Sequence, residues 1–199
     1  YSVVDCPDPE SVERQFEALR RGAIAGANVT VPWKRLALEL ADDADASAKD
    51  TGAANVLRLT TASGAGRVVA HNTDVPALAE ELRRGRPASR TATVIGNGGA
   101  ALAAVVACRA LGMERVTVVA RKWRDDTDAS WPGAEALRAR GDEPVAWPSR
   151  VDVDSSFRRA IAASDVIVQS TTDGMDGASD GTAVRDLVPW AALEGAPFV

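Results

Sequence analysis

Apolar residues recur along this chain in two rhythms. From Pro9 to Arg21, Val12, Phe16 and Leu19 share one face at helical spacing, and Lys34 to Leu40 predicts a second short helix through Leu36, Leu38 and Leu40. Ser2 to Asp5 reads as extended. Ala27 to Val31 reads as a β-branched strand, stopped by Pro32, which cannot continue a central ladder but suits the first turn of a helix. Asn55 to Thr60 and Arg67 to Ala70 predict two strands joined at Ser63-Gly64-Ala65-Gly66, a hairpin by its turn chemistry. Val75 to Arg84 follows as helix, and Gly85-Arg86-Pro87-Ala88-Ser89 is a polar breaker. That breaker divides the chain into domains 1–88 and 89–199.

The second half alternates strand and helix more regularly. Thr91 to Ile95 is a short strand of the buried kind, Ala100 to Leu111 a helix ended by Gly112, and Arg115 to Ala120 the next strand. Trp131 to Arg140 predicts a helix, Pro144 to Trp147 a strand, Phe157 to Ala163 a helix and Asp165 to Gln169 a strand rich in Val and Ile. Such alternation implies βαβ units and a parallel sheet with right-handed crossovers, an α/β fold. No 20–50-residue period repeats, which excludes a solenoid.

Composition narrows the function classes. With 46% hydrophobic and 26% charged residues in 199, the chain is an ordinary globular mixture. A formal net charge of −5, with no basic stripe interleaved with aromatics, argues against nucleic acid or anionic membrane as partner. The longest apolar run, Ala100 to Cys108, is far shorter than the roughly 20 residues of a membrane span. Cys6 and Cys108 have no disulfide or zinc spacing, so a cytoplasmic protein is expected. The chain begins at Tyr1 and stops at Val199 inside an apolar stretch, so a piece of a longer protein is expected.

Gly96-x-Gly98-x-x-Ala101 is a dinucleotide fingerprint with alanine at its third position. The first glycine permits the tight turn after the strand and the second lets a pyrophosphate approach the backbone. The third small residue allows close helix–strand packing, and phosphate rests on the amides of the helix N-terminus. The alternative is a glycine turn without nucleotide. Ala120-Arg121-Lys122 stands where NAD-binding domains place an acidic residue for the ribose 2′-hydroxyl. Two cations there fit the 2′-phosphate of NADP, or are a solvated basic pair. Trp123 is a candidate to stack on adenine or to pack on the surface. Lys34 is one of only three lysines and opens a helix, against the dipole. It has a special role or is simply exposed. Asp74 is a candidate reacting carboxylate or only the N-cap of the next helix.

Together these segments resemble the shikimate dehydrogenase family. Asn28-Val29-Thr30-Val31-Pro32-Trp33-Lys34 is similar to its Asn-Val-Thr-x-Pro-His-Lys signature, and Gly52-Ala53-Ala54-Asn55 to its Gly-Ala-x-Asn-Thr segment. Asn72-Thr73-Asp74 matches its Asn-Thr-Asp. The run to Ala101 matches its Gly-x-Gly-Gly-Ala loop, and Ala120-Arg121-Lys122 stands at its Asn-Arg-Thr. Gln169-Ser170-Thr171-Thr172-Asp173-Gly174-Met175 resembles its Asn-Ala-Thr-Pro-x-Gly-Met. Six segments in order cover nearly the whole chain.

The resemblance implies an N-terminal α/β substrate-binding domain followed by a Rossmann-type doubly wound parallel sheet, with reaction in the cleft between them. It implies NADPH-dependent reduction of 3-dehydroshikimate to shikimate in aromatic amino-acid (chorismate) biosynthesis, by a monomer or homodimer. Lys34 and Asp74 are then the catalytic dyad, and Asn55, Thr30 and Asn28 bind substrate. Gly96, Asn97, Gly98, Gly99, Ala100, Arg121, Lys122, Thr171 and Met175 bind the cofactor, NADP in preference to NAD.

The chain departs from the family at Trp33 for histidine, Val56 for threonine, Val75 for glycine, and Gln169 and Asp173 in the last motif. The family's carboxylate-binding Ser-x-Ser and C-terminal glutamine are expected outside the sequence. Alternatives are a quinate or other cyclic hydroxy-acid dehydrogenase, and a non-catalytic nucleotide-binding relative. His71, the only histidine, is expected to point outward from a strand rather than serve a Ser/His/Asp triad. Asp42-Asp43-Asp45 reads as a solvated helix end, and Asp173 to Asp180 as a poor calcium loop because Leu187 holds the position that needs Glu.

Overall fold

Asp8 starts the first helix, α1 (Pro9–Arg20): its carboxylate accepts the Ser11 N–H at 2.7 Å, and Pro9 occupies the first turn. Val12, Phe16 and Leu19, the predicted face, are buried. The computed structural model describes residues 1–61, 66–85, 88–124, 134–148, 156–175, 177, 179–190 and 193. These form two units, Tyr1–Pro76 and Ala77–Val199.

In the first unit α1 is followed by β1 (Gly26–Asn28), α2 (Lys34–Leu40), β2 (Asp43–Ala44), α3 (Ala46–Thr51), β3 (Val56–Thr60) and β4 (Arg67–His71). The strands run β1-β3-β4-β2, with β3 antiparallel to β1 and β4, and β2 parallel to β4. The predicted hairpin is therefore present, although its turn, residues 62–65, lies outside the described residues. Leu57 pairs with Ala70 across the hairpin, and both join Val68, Phe16, Leu19 and Ala37 in one core. The expected extension at Ser2–Asp5 enters no sheet.

The acidic run follows the end of α2 with Asp42 and Asp43 exposed, but its carboxylates are also engaged by backbone. Asp43 lies in β2, Asp45 caps α3 by accepting the Ala48 N–H at 3.0 Å, and Asp42 accepts the Val68 N–H at 2.8 Å. Each of these short carboxylates accepts a backbone N–H, Asp43 that of Ala44.

The next helix, α4 (Asp74–Gly85), contains the division between the units, ahead of the break expected at residue 88. Its Leu78 and Leu82 pack in the core of the second unit. There β5 (Thr91–Ile95), α5 (Gly99–Ala110), β6 (Arg115–Arg124), α6 (Ala134–Ala139), β7 (Glu143–Trp147), α7 (Ser156–Ala162), β8 (Val166–Gln169) and α8 (Thr182–Leu187) follow. Residues 131–133 of the helix expected over Trp131 to Arg140 lie outside the described residues. The four strands are all parallel in the order β7-β6-β5-β8, the Rossmann order, with its switch point between β5 and β8.

Neighbouring residues on these strands face opposite cores. Val94, Val118 and Val166 join one cluster, while Ile95, Val119 and Ile167 join another with Phe157 and Ile161. Burial on both faces explains the near-continuous Val/Ile runs. Strand β6 continues four residues past its expected end, through an irregularity between Ala120 and Arg124. The irregularity, not simple alternation, turns Trp123 fully into the core that holds Val118 and Ala120, so Trp123 neither stacks on a nucleotide nor lies on the surface.

Phe16 is 1% exposed in the first unit's core. Phe16→Ala is expected to lower stability by about 3–5 kcal/mol through lost burial and a residual cavity. Denaturant titration read by circular dichroism checks this, and a loss below about 1 kcal/mol would contradict that packing.

Candidate functional site

Three elements of the first unit converge on Asp74. Asn55 sits where β1, β3 and β4 meet: its N–H donates to the His71 carbonyl at 3.0 Å and its carbonyl accepts the Val29 N–H at 2.8 Å. The Asn55 side chain is thereby aimed. Its Nδ2 donates to Asp74 Oδ1 at 2.8 Å, and its Oδ1 accepts the Thr73 N–H at 2.9 Å. Lys34, the first residue of α2, donates from Nζ to Asp74 Oδ2 at 2.8 Å, and its carbonyl accepts the Ala54 N–H, also at 2.8 Å. Both carboxylate oxygens of Asp74 are thus engaged by side chains at the start of α4, and neither is spent as a helix cap.

Behind this set lies a buried support. Asn72 donates from Nδ2 to Thr51 Oγ1 and to the Ala53 carbonyl, each at 3.0 Å, and its Oδ1 accepts the Asp74 N–H at 3.1 Å. The Lys34 side chain is 20% exposed and that of Asp74 38%. The ion pair is therefore partly shielded yet open to a ligand. A cavity of about 290 Å³ adjoins it, lined by polar Asn28, Thr30, Lys34, Asn55 and Thr73 and by apolar Val29, Val31 and Val56. All five sequence-nominated residues of the first half therefore gather at one place. Thr73 joins them, and the Asn-Thr-Asp triple was its only sequence signal.

Trp33, where the family pattern has histidine, donates its Nε1–H to the Cys6 carbonyl at 2.8 Å and packs against the core. His71 is not an outward strand residue: its half-buried ring meets Asp45 Oδ2 through Nδ1 at 2.8 Å. Ser47 donates to the same carboxylate at 2.6 Å, so its hydroxyl faces the acid and not the imidazole. A triad needs the serine on the histidine.

In the second unit the loop from Gly96 to Ala100 joins β5 to α5. Gly96 has φ +128°, and a Cβ there would stand 2.8 Å from Ser170 Oγ. Gly98 is the N-cap of α5 and brings no side-chain cap, and a Cβ there would meet nothing within 4 Å. The first-turn amides thus lack a side-chain acceptor from the cap, next to open space, as a phosphate cradle requires. Arg121 is exposed on β6, while the side chain of Lys122 lies outside those described. Thr171 and Met175 lie between β8 and α8, Met175 exposed.

Asp173, in that segment, is buried. The Ser179 hydroxyl, the Val184 N–H and the Arg121 charge hold its carboxyl below the usual range. Asp180 accepts from the Thr182 N–H and hydroxyl, and Asp176 lies outside the described residues. Among the described residues no group of three His, Cys, Asp or Glu side chains is arranged to hold a metal. No described helix is long and apolar enough to cross a membrane. Burial pushes the Cys108 thiol up to about 12, which leaves it no thiolate at neutral pH.

Asn72→Ala is expected to destabilise the first unit by about 2–3 kcal/mol, because it orphans buried donors and acceptors. A thermal unfolding shift of a degree or less would refute that role. Burial works against ionisation of Asp45, but Ser47, the Ala48 N–H and His71 outweigh it and hold its carboxyl below the usual range. A carboxylate lowered on folding adds stability above its unfolded value and loses it as pH falls through its folded value. Asp45→Asn should therefore flatten the loss of stability on acidification from neutral pH, as followed by denaturant titration. An unaltered pH slope would exclude this linkage.

Residues 1–57 match the family model described as the shikimate dehydrogenase substrate binding domain. The chain is 30% identical over 193 residues to the NADP(+) shikimate dehydrogenase of Symbiobacterium thermophilum, covering 94% of this chain and 61% of that protein. It is 34% identical over 178 residues to that of Paramagnetospirillum magneticum, covering 86% and 58%. Shikimate 5-dehydrogenase of Thermus thermophilus, solved with NADP(H) and shikimate, superposes with a TM-score of 0.64 at 27% identity, over 83% of this chain and 54% of that one. The chain spans about three fifths of the length of the curated relatives it matches.

Proposed function

We propose that this chain, which belongs to the shikimate dehydrogenase family, carries the reacting centre of an NADP-dependent oxidoreductase interconverting 3-dehydroshikimate and shikimate. The observation that carries the reading is Lys34 and Asn55 on the wall of one cavity, joined through the carboxylate of Asp74. The relatives' names supply the substrate and the cofactor.

Lys34 has three N–H donors and spends one on Asp74, which leaves others for the oxygen on C3 of the substrate. Reduction of the carbonyl develops alkoxide charge on that oxygen. A fixed ammonium stabilises the charge and delivers the proton, and in the reverse direction the amine takes it back. Asp74 aims Lys34 and accepts from an adjacent ring hydroxyl. Asn55, Thr30 and Asn28 bond the remaining hydroxyls, so an analogue lacking one leaves a polar group of the site without its partner.

NADP(H), when bound, supplies or accepts the hydride. Gly96, Asn97, Gly98, Gly99 and Ala100 would hold its pyrophosphate, Arg121 and Lys122 its 2′-phosphate, and Thr171 and Met175 its nicotinamide end. The proposed setting is the cytoplasm and aromatic amino-acid biosynthesis, as monomer or homodimer, without nucleic acid. Val56 on the cavity wall favours a second reading, a quinate or other cyclic hydroxy-acid dehydrogenase.

In the full-length protein, Lys34→Ala is expected to lower kcat by about 10²–10⁴-fold while leaving NADPH affinity unaltered. Loss of NADPH absorbance with 3-dehydroshikimate reads the rate, and unchanged turnover would sink the role of Lys34. A kcat/KM for quinate above that for shikimate would select the second reading.

A further inference from the structure

Asp173 is only 7% exposed, lies outside the reacting set, and falls on the variable position of the family's last motif. Burying a charge is costly unless it is fully paired, so its partners show what it organises. The Ser179 hydroxyl donates to Oδ1 and the Val184 N–H to Oδ2, the latter at 2.8 Å. Its carbonyl accepts Gln169 Nε2 at 2.8 Å, and its N–H donates to Thr171 Oγ1 at 3.1 Å. The other end of the Gln169 amide accepts the Thr171 N–H at 2.5 Å. Every polar group of Asp173 is thus spent on closing one loop.

The loop has a neck and an anchor. Gly174 and Gly181 pass so closely that a Cβ on Gly181 would stand 3.3 Å from Gly174 Cα, and both have positive φ. At its start, Ser170 donates from both N and Oγ to the Ile95 carbonyl at 2.9 Å and abuts Gly96. The loop therefore runs against the first glycine of the fingerprint, with Thr171 half-buried and Met175 exposed on it.

We propose that Asp173 is a positioning residue for the dinucleotide: by tying this loop to α8 it sets Thr171 and Met175 against the glycine loop, which rests on the NADP(H) reading above. Gln169, which departs from the family's asparagine, completes the lock by gripping both Thr171 and Asp173.

The test is Asp173→Asn in the full-length enzyme, which keeps the size but replaces one carboxylate acceptor with a donor. NADPH Kd and KM are expected to rise about tenfold with KM for shikimate nearly unchanged, alongside a lower unfolding temperature from the buried acceptor lost. Ser179→Ala, which removes one bond and no charge, is expected to raise NADPH Kd about threefold and serves if Asp173→Asn fails to fold. A lower unfolding temperature with unchanged NADPH affinity marks a purely structural carboxylate and overturns the proposal. Unchanged affinity in both variants of an active enzyme overturns this role alone. An unsubstituted protein that binds no NADPH overturns the functional reading and this role with it.

Discussion

Asp74 has two carboxylate oxygens, and the geometry of the first unit is organised around how they are spent. One is taken by the ammonium of Lys34 and the other by the amide of Asn55. Neither donor can drift. Asn55 is held by the sheet through its own backbone, and Lys34 sits at the N-terminus of α2, whose first carbonyl is tied to Ala54. Asn72 completes the arrangement from beneath, fixing the Asp74 backbone with a side chain that is itself fully bonded. A lysine at a helix N-terminus works against the dipole, and the adjacent carboxylate offsets that cost. The result is a lysine side chain held at the edge of a cavity rather than free in water, the placement that the proposed proton transfer calls for.

The second unit meets a different constraint. Its parallel strands are buried on both faces, so polar chemistry is confined to their C-terminal ends, where the backbone leaves the sheet. The glycines at β5–α5 and the closed loop after β8 lie at that edge, on either side of the switch point. Gly96 admits no side chain because Ser170 already fills the space, so the two loops are fitted to one another. A buried, fully bonded aspartate is consistent with a loop that must hold one shape.

Most of the fold was legible in order. The Val/Ile runs of β5, β6 and β8, the helical spacing of Val12, Phe16 and Leu19, and the glycine turn before α5 carry their structure locally, because period and turn chemistry act over a few residues. What failed was short or irregular. α3 and α8 have six residues each, too few for an apolar period, so Asp45, which caps α3, read as part of a solvated helix end, and Asp173, which accepts an α8 amide, as part of a calcium loop. The irregularity in β6 carried the strand past Ala120 and turned Trp123 inward, and nothing in the local residue types announces that.

The candidate site divides along the same line. Residue types alone nominated the glycine loop, Lys34 and Asp74, and left each with a bland alternative. That Lys34 and Asp74 meet at 2.8 Å across 40 residues of sequence was decided by the sheet, which brings the end of β4 beside the start of α2. The Asp45–His71 pair, the Asn72 support and the Asp173 lock are of the same kind. Hydrophobic periodicity is a property of neighbours along the chain and survives in one dimension. Hydrogen bonds between side chains depend on where the folded backbone brings distant residues together, and only the tertiary structure contains that.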